Sequence, residues 1–277
     1  MGIDFGRAIG APFKDPGWLM KTVLGGVWLF LSFITLGFVV FGQRIEYMRS
    51  VASGDEMLPE LEFGGQWFKG LLVSLAEFIY GLPAVLIFMF SFVPIILGIF
   101  SQDVSGVAAG FGGSCIFLAL GFVWMVLVSL IFFGAEVNYA MKGTFGSFFS
   151  FKDIMAKIRS DSGYWMAWLW SVVIYLGASA ATGLVAMTFI GVLLAPFIYY
   201  LAFMMSAHVL GQYAARAYGM PGPGAVAAPA GYAPPAPAGS RPPAPPSVPA
   251  PPSAAPPTVP PAPPAPQAPP RPPGPPA

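Results

Sequence analysis

Three ionisable side chains stand inside stretches that are otherwise uncharged: Glu77, Glu136 and His208. Ionisable groups at membrane depth are costly, so an intramembrane carboxylate or imidazole is read first as a functional group. Two carboxylates beside a neutral imidazole could relay protons or hold a cation, with the carboxylates as hard ligands. The same three residues would be structural if each reached interfacial water or a backbone partner, or if a buried carboxyl were protonated. A second acidic set, Asp55, Glu56, Glu60 and Glu62, occupies one connecting segment. It reads as a solvated acidic loop, with a partner-binding or cation-binding loop as the sharper alternative.

Other chemistry is thin. Cys115 is the one cysteine and His208 the one histidine. Disulfides within the chain, His/Cys zinc sites, the HExxH motif and Ser-His-Asp triads are therefore excluded. The glycine stretch AAGFGGS has neither the Lys-Ser/Thr pair nor the preceding strand of a phosphate-binding loop. No catalytic residue, metal or cofactor is expected, and the chain is expected not to be an enzyme.

These residues sit in a chain of 277 residues that is 56% hydrophobic, 15% aromatic and 9% charged, against about 25% charged in an ordinary soluble domain. A net charge of +1 leaves no basic stripe for phosphates, so nucleic acid is not an expected partner. The lipid bilayer is. Residues 22–43 carry no charge, Gly70 to Gln102 carries only Glu77, Val104 to Ala135 carries none, and Gly163 to Ala215 carries only His208. Each exceeds the roughly 20 residues that cross about 30 Å of hydrocarbon. The last would reach about 80 Å as one helix, so it must fold back, near Thr188 to Gly191. Barrel strands would alternate apolar and polar residues, which these runs do not.

The expected fold is all-α: a polytopic helical membrane domain over residues 1–218, with apolar segments at about 20–43, 68–101, 104–136, 163–188 and 191–215. Four are full transmembrane helices; the first is re-entrant or a fifth. The first run is too long for a signal-peptide core and reads as retained. Trp67, Tyr164, Trp165, Trp168 and Trp170 fall near helix ends, where amphipathic rings favour the interface. Gly106 with Gly110, and Gly177 with Ala181, have the spacing that lets helices approach closely. In SFKDIMAKIRSD, Ser150 and Asp153 predict a capped interfacial helix over about 150–160, with Lys152, Lys157 and Arg159 between its apolar positions. Of the last 57 residues, 26 are proline, which predicts a disordered Pro/Ala-rich tail over 219–277, an inert spacer or a ligand for an aromatic groove.

Orientation follows from the basic residues. All thirteen Lys and Arg fall at residues 1–21, 44–69, 142–159 and from 216 onward. The positive-inside rule then places these segments and the tail in the cytoplasm. One crossing of residues 22–43 would strand Arg7, Lys14 and Lys21 outside; a re-entrant hairpin broken near Ser32 to Gly37 keeps all thirteen inside.

PFKDPGWLMKTVLGG, GDEMLPE followed by GQWFKGL, FIYGLPAVL, NYAMKGTFGSFFSF and the closing AHVLGQYAARA together resemble a prokaryotic membrane family, domain of unknown function 4013, over about residues 5–218. The resemblance implies a multi-pass bacterial or archaeal membrane protein with no assigned activity. It also implies a proline at the tip of the first run, where this chain has Thr35, Leu36 and Gly37.

The sequence supports first a non-enzymatic scaffold or assembly partner of a prokaryotic cytoplasmic (inner) membrane that presents its proline-rich tail to the cytoplasm. Other membrane proteins, or a protein that binds the tail, are the expected partners, and a homo-oligomer stays open. The alternative is a transporter or channel for a small solute, ion or proton using Glu77, Glu136 and His208.

Overall fold

The computed structural model describes residues 2–31, 37–101 and 104–223, and among these the regular structure is helical. Its helices are α1 (Phe5–Gly10), α2 (Trp18–Phe30), α3 (Phe38–Ser53), α4 (Phe63–Phe100), α5 (Val104–Lys142), α6 (Phe151–Ser160), α7 (Gly163–Val185) and α8 (Phe189–Tyr218), with 3-10 turns at Pro12–Lys14 and Phe145–Phe149. Four of them, α4, α5, α7 and α8, are long and apolar enough to cross a membrane. With 38 and 39 residues, α4 and α5 are each about 57 Å long. They outreach the hydrocarbon and extend as packed helix beyond it. Pro83 and Pro94 lie inside α4, as membrane helices tolerate when neighbours re-satisfy the freed backbone groups.

The first apolar run contains two helices that run in opposite directions. Along α2, Gly25 lies against Tyr200 and Gly26 against Phe197, so α2 runs antiparallel to α8. Along α3, Phe41 meets Phe203 and Val51 meets Gly211, so α3 runs parallel to α8. At the head of α2, Lys21 donates to the Leu58 carbonyl at 2.6 Å and pairs with Glu60 at 2.9 Å. Both ends of the run therefore lie at one end of the bundle. The thirteen residues of α2 reach only about 20 Å, too short to cross. Of the break expected at Ser32 to Gly37, Ser32 to Leu36 lie outside the described residues, as does the tail from Gly224.

The basic residues of the described chain gather at this same, charged end. Arg7 and Lys14 pair with Glu56, Lys69 with Glu46, Lys142 with Asp153, and Arg216 with Asp161. The far end, where α4 meets α5 and α7 meets α8, has none among the described residues.

Two local expectations are corrected. Ser150 precedes α6 but makes no capping bond: its hydroxyl donates back to Gly146 O at 3.2 Å, and Asp153 pairs with Lys142 at 2.8 Å. That bond turns the hydroxyl toward the 3-10 turn and away from the first N–H groups of α6, from which a cap would accept. Tyr164 is not an interfacial ring; it is fully buried, and its hydroxyl donates to Leu130 O. Of the small-residue pairs, Gly106 and Gly110 pack against Gly98 and Pro94 inside the α4–α5 hairpin, whereas Gly177 faces open space.

The two long hairpins meet at the charged end. There α5 joins α7 and α8 through Trp168 Nε1 donating to Ser129 Oγ at 3.3 Å and the Tyr218 hydroxyl donating to Asn138 at 2.6 Å. Nearer its start, α5 exposes Phe111, Ile116, Phe122 and Val123. Only 11% of its apolar stretch is buried, against 39% for α8. So α8 is the central post, and the α4–α5 hairpin has little contact with it.

Candidate functional site

Where the hairpins diverge, α3 carries Arg44 into the interior. Its guanidinium donates to Glu136 Oε1 at 2.6 Å and to Ser206 Oγ at 3.4 Å. The side chains are 5% and 0% exposed. The guanidinium also lies over the rings of Phe133 and Phe203, 5.7 and 5.5 Å from their centres, a cation–π arrangement. Even so, Arg44 Nε and Glu136 Oε2 are left without hydrogen-bond partners.

Arg44 and Glu77 both line a cavity of about 330 Å³ walled by Phe41, Phe132, Phe133, Tyr175, Tyr199 and Phe203. Helix geometry explains how these rings converge. Side chains lean toward their own helix's N-terminus, so Phe133 of α5 and Tyr175 of the antiparallel α7 lean toward each other and meet at 6.3 Å. Glu77 lines the cavity, is exposed, and makes no hydrogen bond or ion pair among the described residues.

Glu77 and Glu136 thus come together around Arg44, and His208 does not join them. Positions 206 and 208 are about 200° apart around a helix, so α8 turns Ser206 toward Arg44 and His208 toward the acidic loop. His208 Nδ1 accepts from Gln212 Nε2 at 3.1 Å, which leaves Nε2–H to donate to Glu56 Oε1 at 3.0 Å. Glu56 is also bound by Arg7 and Lys14. Gln212 in turn accepts from Asp4 N at 2.7 Å and donates to Asp4 O at 2.9 Å.

Most of the acidic segment is a solvated loop, with Asp55, Glu60 and Glu62 exposed, and only Glu56 is drawn in. Glu56 and Glu60 hold the chain's own N-terminal bases, Asp55 accepts from Met57 N in the turn after Gly54 (φ 102), and Glu62 is exposed. Gln43 of α3 latches the same segment by donating to Pro59 O at 2.8 Å. Among the described residues, no group of three or more His, Cys, Asp or Glu is placed to hold a metal ion.

Burial alone would raise the Glu56 carboxyl, but hydrogen bonds from Arg7, His208 and Lys14 outweigh it and hold the group at about 2, below its ordinary 4.5. A depressed carboxylate contributes stability that is complete above its unfolded value and is lost as pH falls through its folded one. Docking of residues 4–21 should therefore hold above pH 4.5 and loosen between there and about 2, seen as faster hydrogen exchange in that segment alone. Glu56→Gln should reproduce the loosening at neutral pH and speed tryptic cleavage at Arg7 and Lys14 by roughly tenfold or more, equivalent to about 1.4 kcal/mol of lost docking.

The sequence pattern of the family described as "Protein of unknown function (DUF4013)" matches residues 25–194, which takes in Arg44, Glu56, Glu77 and Glu136. The chain belongs to that family. No curated protein and no solved structure matches it. In this DUF4013 protein His208 and Ser206 lie beyond the matched residues, and the N-terminal bases that meet Glu56 lie before them.

Arg44 is the residue of this candidate site that the sequence did not single out. A base directly after an apolar run reads as an interfacial flank, and only the packing of α3 among α4, α5 and α8 buries it. One signal was available: once residues 22–43 are read as re-entrant, whatever follows them is carried against the other helices.

Proposed function

We propose that this DUF4013 protein is a non-enzymatic scaffold of a prokaryotic cytoplasmic membrane, with its charged end and proline-rich tail in the cytoplasm. The observation that carries the reading is the α4–α5 hairpin. It is anchored at the charged end, and its apolar length is uncovered over Met89, Phe90, Phe92, Phe111 and Phe122. A helix pair uncovered along its apolar length offers side surfaces to a neighbouring membrane protein while α3 and α8 hold its base. Gathering of the basic residues at one end supports the cytoplasmic assignment.

Photo-crosslinking side chains placed at Phe92, Phe111 and Phe122 should yield a discrete protein adduct common to all three. Removal of residues 221–277 should change the set of proteins recovered with the intact chain. Lipid adducts alone, together with an unchanged partner set, would overturn the proposal.

A second reading, a small-solute or ion transporter, is favoured by the unpaired Glu77 in a cavity beside a re-entrant segment. It relies on Glu77 and Glu136 without His208. Under it, Glu77→Gln abolishes uptake of a cation into proteoliposomes; wild-type vesicles no leakier than empty ones count against it.

A further inference from the structure

The charges around the central cavity do not cancel. Arg44 is opposed by two carboxylates, Glu136, which binds it directly, and Glu77, which has no partner of its own. The cavity therefore carries one negative charge in excess when both carboxyls are ionised. The buried pair is also incompletely satisfied, since Arg44 Nε and Glu136 Oε2 lack partners in side chains 5% and 0% exposed.

The walls decide what kind of cation fits. Sodium, potassium or a divalent ion would need several oxygen ligands to replace its hydration shell, and the lining offers one free carboxylate and two phenols among aromatic carbons. An anion would meet Glu77, and the one cation of the lining, Arg44, is already held by Glu136. A weakly hydrated organic cation suits both features: its charge answers Glu77, and its carbon-bound hydrogens lie against the ring faces. The volume, about 330 Å³, falls within the range of small-molecule sites.

We propose that this cavity binds an alkylammonium group, with Glu77 as the counter-charge and Phe41, Phe203 and Tyr175 as the aromatic cage. The site goes beyond the scaffold reading and stands whether or not the α4–α5 hairpin has a protein partner. The ammonium could belong to a free amine or to a lipid headgroup. Tyr199 and Phe203 are also shared with a second cavity of about 320 Å³, whose other walls, Leu29, Val192, Ala195 and Pro196, are apolar. An acyl chain could lie there while its headgroup sits by Glu77.

The test uses the full chain in nanodiscs of phosphatidylglycerol, titrated with radiolabelled choline, with tetramethylammonium, NaCl and KCl as competitors. Saturable choline binding that tetramethylammonium displaces, and the two salts at equal ionic strength do not, is expected. Glu77→Gln should weaken it at least tenfold and Phe203→Leu severalfold. Because Glu77 holds no structural partner, Glu77→Gln should unfold at the wild-type temperature, so a loss of binding is not a loss of fold. Discs containing phosphatidylethanolamine separate the two sources. Lowered apparent choline affinity assigns the site to a lipid headgroup, and unchanged affinity assigns it to a free amine. Absence of saturable choline binding in phosphatidylglycerol discs, or binding that survives Glu77→Gln, overturns the proposal.

Discussion

Arg44→Met should be the most damaging single replacement of a charged residue in the chain. It removes the guanidinium that donates to Glu136 at 2.6 Å and leaves a carboxyl that is 0% exposed without a counter-charge. Breaking one side of a buried pair costs about 3 to 5 kcal/mol, because the orphaned charge must be neutralised or hydrated where it stands. In a domain of this size that corresponds to a fall of roughly 10 °C in unfolding temperature. The diagnostic comparison is the double variant Arg44→Met with Glu136→Leu. Replacing both partners by apolar groups removes the unpaired charge along with the bond, so the double variant should recover most of what the single one loses. Thermal unfolding in matched nanodiscs measures both. A double variant as unstable as the sum of its two single variants would show that Arg44 and Glu136 act independently of each other.

The difference between what the sequence reveals and what it hides follows the difference between depth and face. Depth is additive along the chain: charge-free runs and their flanking bases locate α4, α5, α7 and α8, place the fold-back near Thr188, whose hydroxyl accepts from Gly191 N at 3.0 Å, and bring Glu77 and Glu136 to a common level. Face is set by which neighbour a helix turns toward, and no run length encodes that. His208 shares the depth of the two glutamates, yet the position that faces Arg44 is Ser206. Likewise Arg44 and Glu56 look like ordinary charges beside an apolar run, and become buried or partnered only because α3 and the N-terminal segment dock on α8. The return of α3 to the end of the bundle where α2 starts is legible because it keeps the flanking bases together, which charge counting can reach. Close backbone crossings were half legible. The Gly106/Gly110 spacing marks one, whereas Gly42 and Gly70 lie in different helices and no single-helix spacing links them.

That unmarked crossing carries the second large effect. Gly42 of α3 and Gly70 of α4 sit where the two helices touch backbone to backbone: a Cβ on Gly42 would fall on the Gln66 carbonyl, and one on Gly70 on the Phe38 carbonyl. Neither obstacle can rotate aside, so Gly42→Ala or Gly70→Ala must push α3 away from α4. Alanine favours a helix over glycine by about 1 kcal/mol, which opposes the loss. Overpacking a tight contact costs about 1 to 3 kcal/mol, occasionally more, and a rigid backbone contact belongs at the upper end. A net loss of about 2 kcal/mol is expected for each. Gly81→Ala in the same α4 is the matched control: nothing lies within 4 Å of its Cβ position, so the propensity gain acts unopposed and stability should hold or rise. The crossing also sets the reach of Arg44, which follows Gly42 by half a turn. Displacing α3 draws the guanidinium away from Glu136, so Gly70→Ala should make Glu136 reactive toward a hydrophobic carbodiimide, detected by site-resolved mass spectrometry, while Gly81→Ala should not. Equal stability of Gly70→Ala and Gly81→Ala, with Glu136 unlabelled in both, would mean that α3 is not held against α4 by these glycines.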